Sequence, residues 1–201
     1  MKKSIKKQIW VKIKEQPRGW VFSAYDFTLD FKRREIDESL SYLAADGKIK
    51  RVIRGIYYCP MYSELLKMKV GPDIDQVANA LARKFKWKIY PNGDTVLNYL
   101  RLSAQIAAKD LYLTDGPSKK YFIGNRCIEF KHIPQKETAL KNTNTFLVIQ
   151  SIKAIGEKQI TEEFLHKLAG KFSKDEWSKI KADASNSTGW VYKLIKELKN
   201  G

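Results

Sequence analysis

Residues 32–58, KRREIDESLSYLAADGKIKRVIRGIYY, decide the fold of the first part of this chain. Ile36, Leu40 and Leu43 recur at helical spacing, so one apolar face runs through a helix from about Lys32 to Ala45. Asp46-Gly47 closes that helix, because glycine enters the left-handed conformation of a helix end at little cost. Two β-branched runs follow, Lys48 to Ile53 and Ile56 to Cys59, and Arg54-Gly55 between them reads as the tip of a hairpin. A helix that opens on Lys32-Arg33-Arg34 is thus followed directly by a hairpin carrying Lys48, Lys50, Arg51 and Arg54.

Upstream, Ile5, Ile9, Trp10 and Ile13 predict a helix over 5–15, ended by Pro17-Arg18-Gly19. Val21-Phe22 is a short extended pair, Ser23 caps a brief second helix that ends near Thr28, and Leu29 to Phe31 form the turn. Three helices and then a hairpin is the order of a winged helix-turn-helix, here over 1–60. Downstream, 61–72 reads as a linker stopped by Gly71-Pro72. Asp73 caps a helix through about Lys86, Pro91-Asn92-Gly93 reads as a turn, and a short helix follows around Thr95 to Leu100. Leu111 to Thr114 is expected as a strand, and Tyr121 to Ile123 with Cys127 to Phe130 as a hairpin closed by Gly124-Asn125. Phe146 to Ile155 opens a run of helices, with others near 161–170, 174–183 and 188–199. The expected class is α+β: a winged helix-turn-helix at 1–60, then a mixed α/β domain over 73–201 with a helical tail at about 145–199.

Charge sharpens the reading. The 201 residues carry a net charge of +16, and residues 1–60 hold 14 Lys/Arg against 7 Asp/Glu, so the N-terminal part is the more basic per residue. A surface of that sign attracts phosphate backbones over long range. Cys59 and Cys127 stand far apart and the two histidines, His132 and His166, have no ligand spacing around them. A zinc ribbon, a redox pair and a histidine metal site are therefore not expected, nor is any cofactor. The lysine-rich start has no apolar run behind it and no stretch approaches the ~18 apolar residues of a membrane span, so a cytoplasmic chain without membrane contact is expected.

In a helix-turn-helix the second helix of the pair enters the major groove with its N-terminal residues nearest the bases. Arg33 and Arg34 then face base edges, where arginine forms bidentate bonds with guanine, and Lys32 serves a phosphate. The free N–H groups of the helix start and Ser39 add contacts to this set, and Tyr42 either joins them or is buried. Lys48, Lys50, Arg51 and Arg54 on the hairpin reach the backbone or a minor groove, and Lys6, with Lys2, Lys3 and Lys7, follows the flanking phosphates. Against this stand Asp37 and Glu38, placed at helical spacing to pair with Arg33 and Arg34.

Several stretches resemble the AbiEi-type antitoxins of abortive-infection systems. They are Gly19-Trp20-Val21-Phe22, Asp26-Phe27, Leu40-Ser41-Tyr42-Leu43, Asp46-Gly47-Lys48-Ile49 and Arg54-Gly55-Ile56-Tyr57-Tyr58. More specific are Val77 to Lys84, Pro91-Asn92-Gly93, Asn98, Leu102-Ser103-Ala104-Gln105, Tyr112 to Ser118, Ile123-Gly124 and Ile128 to His132. That resemblance implies an antitoxin of a type IV toxin–antitoxin pair that represses its own operon by binding inverted repeats of double-stranded DNA upstream of it. An inverted repeat would seat two copies. It also implies a C-terminal region that counteracts a nucleotidyltransferase-like toxin without a stable complex. One departure is that Gln105 is followed by Ile106-Ala107-Ala108, where relatives usually carry proline.

Two rival readings compete. Asp115 with Glu129 and Lys131 resembles the carboxylate–lysine set of metal-dependent nucleases, since Glu129 and Lys131 share one face of a strand. Glu-x-Lys on the wet side of a strand is nonetheless common in so lysine-rich a chain, and catalysis is not the expectation. The helical tail, with 10 Lys/Arg against 7 Asp/Glu over 146–201, is the basis for a non-catalytic protein-interaction module. Asp115-Gly116-Pro117-Ser118 lacks the spacing of a phosphate loop and reads as a plain turn. Trp10, Trp87, Trp177 and Trp190 fall at apolar helical positions and read as core.

Overall fold

The computed structural model describes residues 4–65, 67–105, 109–134 and 142–198. The chain divides into two compact units at Trp87/Lys88. The first begins with α1 (Ile5–Glu15), β1 (Val21–Phe22), a 3-10 turn (Ala24–Phe27) and α2 (Arg33–Ala45). It continues with β2 (Lys50–Ile53), β3 (Ile56–Tyr58), β4 (Met61–Ser63), β5 (Met68–Val70) and α3 (Ile74–Phe85). Strands β1, β3 and β2 form one antiparallel sheet in that order.

The helical faces read from the sequence make the core. Ile9 and Ile13 of α1 meet Ile36, Leu40 and Leu43 of α2, with Phe22, Ala24, Phe27 and Ile49 completing the cluster. Trp20 stacks on Phe22 at 4.8 Å, and Phe27 meets Phe22 edge-on at 5.8 Å. Ser23 starts the 3-10 turn as expected. Its side chain accepts the Tyr25 N–H, and the Asp26 carboxylate accepts the Ser23 N–H at 2.8 Å. With α1, β1, the turn, α2 and the β2–β3 hairpin in this order and with this pairing, the unit has the winged-helix arrangement.

Two expectations for the stretch after residue 60 are corrected. The 61–72 linker instead contains the β4–β5 hairpin, paired from Met61↔Val70 to Ser63↔Met68. Helix α3, expected to open the second domain, belongs to the first unit and packs on β1, the 3-10 turn and β3. The reason is an open sheet edge. Val21, on the outer edge of β1, has both backbone groups turned toward α3: its N–H donates to Gln76 Oε1 (3.3 Å) and its carbonyl accepts from Arg83 Nη2 (2.8 Å). Covering an edge strand in this way satisfies groups that would otherwise invite another chain to pair. Gly71-Pro72 marks a turn inside the unit, not a boundary.

The second unit holds β6 (Ile89–Asn92), α4 (Asp94–Tyr99), β7 (Asp110–Thr114), β8 (Lys119–Ile123) and β9 (Arg126–His132), then α5 (Thr143–Ile155), α6 (Glu162–Ala169), α7 (Lys174–Asp183) and α8 (Gly189–Glu197). Its sheet order is β6-β7-β9-β8, with β7 and β9 parallel and the other pairs antiparallel. The hairpin β8–β9 is the expected one. Strand β6 is not expected: Pro91 lies in it opposite Tyr112, where the sequence reads as a turn. Because β6 is an edge strand, the missing proline N–H can point away from the ladder. Helix α5 buries Phe146, Leu147, Val148, Ile149 and Ile152, and packs on β6, α4, α7 and α8. The helices close around Trp177, fully buried, whose indole N–H donates to the Ala169 carbonyl at 2.8 Å. The chain is therefore α+β as read. Among the described residues, no helix is long and apolar enough to cross a membrane.

Candidate nucleic-acid interface

The start of α2 is the first part of the candidate surface. Arg33 and Arg34 are exposed, and so is Lys32 before them. Each arginine holds the carboxylate one turn on: Arg33 Nε to Asp37 Oδ2 and Arg34 Nε to Glu38 Oε1, both at 2.8 Å. These are surface pairs, with Arg34 side chain 90% and Glu38 65% accessible. The Glu38 hydrogen bond favours the charged guanidinium of Arg34 still further. The four groups together carry no net charge. The helix start is also less open to an anion than the sequence suggests, because the Lys32 N–H donates to Glu35 Oε2 at 3.1 Å.

Further along α2 the expectations divide. Ser39 is buried, so its hydroxyl is not presented to a partner outside the molecule. Tyr42 is exposed, and Lys6 of α1 lies over its ring at 3.4 Å from the centroid. Lys48 pairs with Asp46 at 2.6 Å and sits 6.0 Å from the Trp10 ring. The ammonium hydrogen-bonded to it holds the Asp46 carboxyl below the usual carboxylate range, and the carboxylate in turn raises Lys48. Lys6 and Lys48 therefore gather at the C-terminal end of α2. Arg33 and Tyr42 are nine residues apart, a separation of about 14 Å at ~1.5 Å per residue. Lys2 and Lys3 lie outside the described residues; Lys7 is exposed.

The wing is different. Lys50, Arg51 and Arg54 are all exposed, and among the described residues none has a carboxylate within ion-pairing distance. Gly55 at the tip takes φ +76°, which glycine adopts without strain. So the positive charge read at the helix start is largely matched by its own helix, and that of Lys48 by Asp46, whereas that of Lys50, Arg51 and Arg54 is not matched among the described residues. The sequence shows where cations stand; only side-chain geometry shows which are already partnered.

A second group was not legible at all. Arg83 of α3 joins Asp26 Oδ1 (2.7 Å) and the Val21 carbonyl, and Lys84 Nζ donates to the Arg54 carbonyl at 3.2 Å. The one signal available was the position of both in the last turn of a helix, where cations oppose the dipole. Nothing in their spacing points to residues 26 or 54.

The nuclease set is not assembled. The register puts Glu129 opposite Leu111 and His132 opposite Thr114, so Asp115 follows four positions beyond Glu129's partner. At ~3.3 Å per residue that is about 13 Å along the strand, too far for two carboxylates to share an ion. Glu129 instead lies 3.6 Å from Lys120, and Asp115 Oδ1 accepts the Lys88 N–H at 2.8 Å. Among the described residues there is no group of three His, Cys, Asp or Glu able to hold a metal. His132 is fixed by backbone contacts: its Nδ1 meets the Gly116 carbonyl at 2.9 Å, which requires the proton on that nitrogen. Cys59 and Cys127 are free, and partial burial pushes the Cys59 thiol up.

Fold and surface together define a two-unit α+β protein whose N-terminal unit is a winged helix with a cationic wing. The chain belongs to a family of unknown function, DUF6088, which it matches over residues 8–180. A search of curated proteins finds no match.

Proposed function

We propose that this protein is a sequence-specific double-stranded DNA-binding repressor that acts through its winged-helix unit, without cofactor or catalysis, in the cytoplasm. The observation that carries the reading is the set of exposed wing cations, Lys50, Arg51 and Arg54, which have no ion-pair partner among the described residues and stand next in the chain to a helix that presents Arg33 and Arg34 to solvent. In this reading α2 lies in the major groove and the wing contacts the backbone beside it. The carboxylates of Asp37 and Glu38 have two roles. They hold the arginines extended before binding, and they repel phosphates wherever the bases do not offer donors in exchange. Discrimination between sequences is then gained at the expense of general affinity.

The resemblance to AbiEi-type antitoxins extends the proposal: the target is an inverted repeat upstream of its own operon, occupied by two copies, and the second unit opposes a nucleotidyltransferase-like toxin. The test is fluorescence anisotropy on the upstream DNA and on an unrelated duplex from 50 to 300 mM salt. If Lys32, Lys50, Arg51 and Arg54 each meet a phosphate, log K falls against log salt with a slope of about −3.6. Between 50 and 200 mM salt that is a loss of roughly 150-fold. Equal affinity for both duplexes at every salt concentration would refute sequence-specific binding. Co-expression with a nucleotidyltransferase encoded beside it tests the antitoxin role, which fails if growth is not restored.

A further inference from the structure

The wing turn is not of a self-locking kind. Ile53 pairs with Ile56, so Arg54-Gly55 is a two-residue loop, and of the two only Gly55 has positive φ. The hairpin turns that match strand twist require positive φ at the first loop residue, which Arg54 does not have. A register irregularity between Arg51 and Ile53 loosens the ladder further. The tip therefore needs support from outside the hairpin, and α3 supplies it. Lys84 Nζ donates to the Arg54 carbonyl at 3.2 Å, and a Cβ on Gly55 would come within 2.8 Å of that same nitrogen. The absent side chain at position 55 thus serves twice, in allowing the turn and in admitting the ammonium. Helix α3 is a firm base for such a contact, since Arg83 ties the same turn to Asp26 and Val21, and Asp73 caps its other end by accepting the Gln76 N–H at 2.9 Å.

We propose that Lys84 is a positioning residue for DNA binding: by holding the Arg54 carbonyl it fixes the wing tip, and so aims the Arg54 guanidinium at a backbone phosphate of the duplex. Helix α3, outside the helix-turn-helix and hairpin, becomes part of the DNA-binding module. This inference rests on the DNA-binding reading above, and the experiment separates the two.

Three proteins are compared: wild type, Lys84→Met, which keeps the aliphatic stem without the donor, and Lys84→Arg, which keeps a donor. Without DNA, amide hydrogen exchange at Arg54 and Gly55 reads the tip directly. Lys84→Met is expected to speed it about fivefold, the loss of one ordinary hydrogen bond, and Lys84→Arg to restore it within about twofold. The melting temperature should fall by no more than a few degrees, so the fold is kept. With upstream DNA, Lys84→Met should weaken binding about fivefold, and in an Arg54→Ala background the same change should have no effect, because there is no guanidinium left to aim. Unchanged exchange in Lys84→Met overturns the strut. Faster exchange with unchanged affinity, or an equal loss in the Arg54→Ala background, overturns the positioning role. If wild type binds no duplex, the DNA reading falls and the positioning role falls with it, while the exchange result alone still decides whether Lys84 holds the tip.

Discussion

Replacing Asp37 with Asn and Glu38 with Gln in one protein tests the orientation of α2 more sharply than removing its arginines, because it predicts a gain. Both carboxylates are exposed and, among the described residues, bond only their own helix's arginines, so the fold should survive. The pairs also run with the cation N-terminal to the acid, the weaker orientation on a helix. What changes is the charge of the presented face, from zero to +2. If Arg33 and Arg34 are then free to take phosphates of a non-cognate duplex, the salt slope on that duplex steepens by about 1.8. Measured against ~1 M salt, that adds roughly 60-fold in affinity at ~0.1 M. Binding to the upstream DNA should rise less, so the ratio between cognate and unrelated duplex shrinks. A plain increase in net charge is controlled by Glu162→Gln with Glu163→Gln in the second unit, where Glu163 bonds Lys167 at 2.6 Å in the same i to i+4 manner. Anisotropy titrations on an unrelated duplex give the answer. If the α2 variant gains no more than the control, α2 does not face DNA and the recognition-helix assignment is wrong.

Other outcomes follow from the same geometry. Arg33→Ala with Arg34→Ala should abolish the preference for upstream DNA and leave the circular dichroism unchanged. Lys50→Ala should weaken all duplexes alike and flatten the salt slope by about 0.9, since its contact is a phosphate. Arg83→Met leaves the largely buried Asp26 carboxylate with Ser23 as its hydrogen-bond donor and the Val21 carbonyl without the Arg83 donor, and should lower stability by about 1–2 kcal/mol in urea melts. A variant as stable as wild type would mean that α3 is not held to the first unit by this residue. Glu176 is kept below the usual carboxylate range by the Ser173 backbone N–H and hydroxyl. A depressed folded-state value means its stabilising share is complete above the ordinary glutamate range and is lost as pH falls through the lowered value. The N-terminus of α7 should therefore stay protected from hydrogen exchange at pH 5 and lose protection in stronger acid, a dependence that Glu176→Gln removes.

Much of the fold could be read from order and spacing. The apolar positions of α1 and α2, Ser23 as a cap, Gly47 at a helix end, and Gly55 in a wing are local facts, each set by the conformational preference of a few neighbouring residues. The pairing of Arg33 with Asp37 and of Arg34 with Glu38 was legible for the same reason, since i to i+4 neighbours meet on any helix. The unit boundary was not. Gly71-Pro72 reports that the chain turns, but not which core the next helix joins, and that choice was made by the open edge of β1, fifty residues away.

Local order in the chain was enough for the helices, the wing and the β8–β9 hairpin, and for the cationic character of α2 and the wing, because helical period, turn chemistry and charge act over a few residues; it was not enough for β4, β5 and β6. It took the closed fold to set β7 parallel to β9, to keep Asp115 and Glu129 apart, to gather Lys6 and Lys48 at the far end of α2, and to bring Lys84 to the Arg54 carbonyl. Those outcomes depend on which groups remain unsatisfied once the core has closed, and a backbone carbonyl bonds whichever donor the packing brings to it, however distant in the chain.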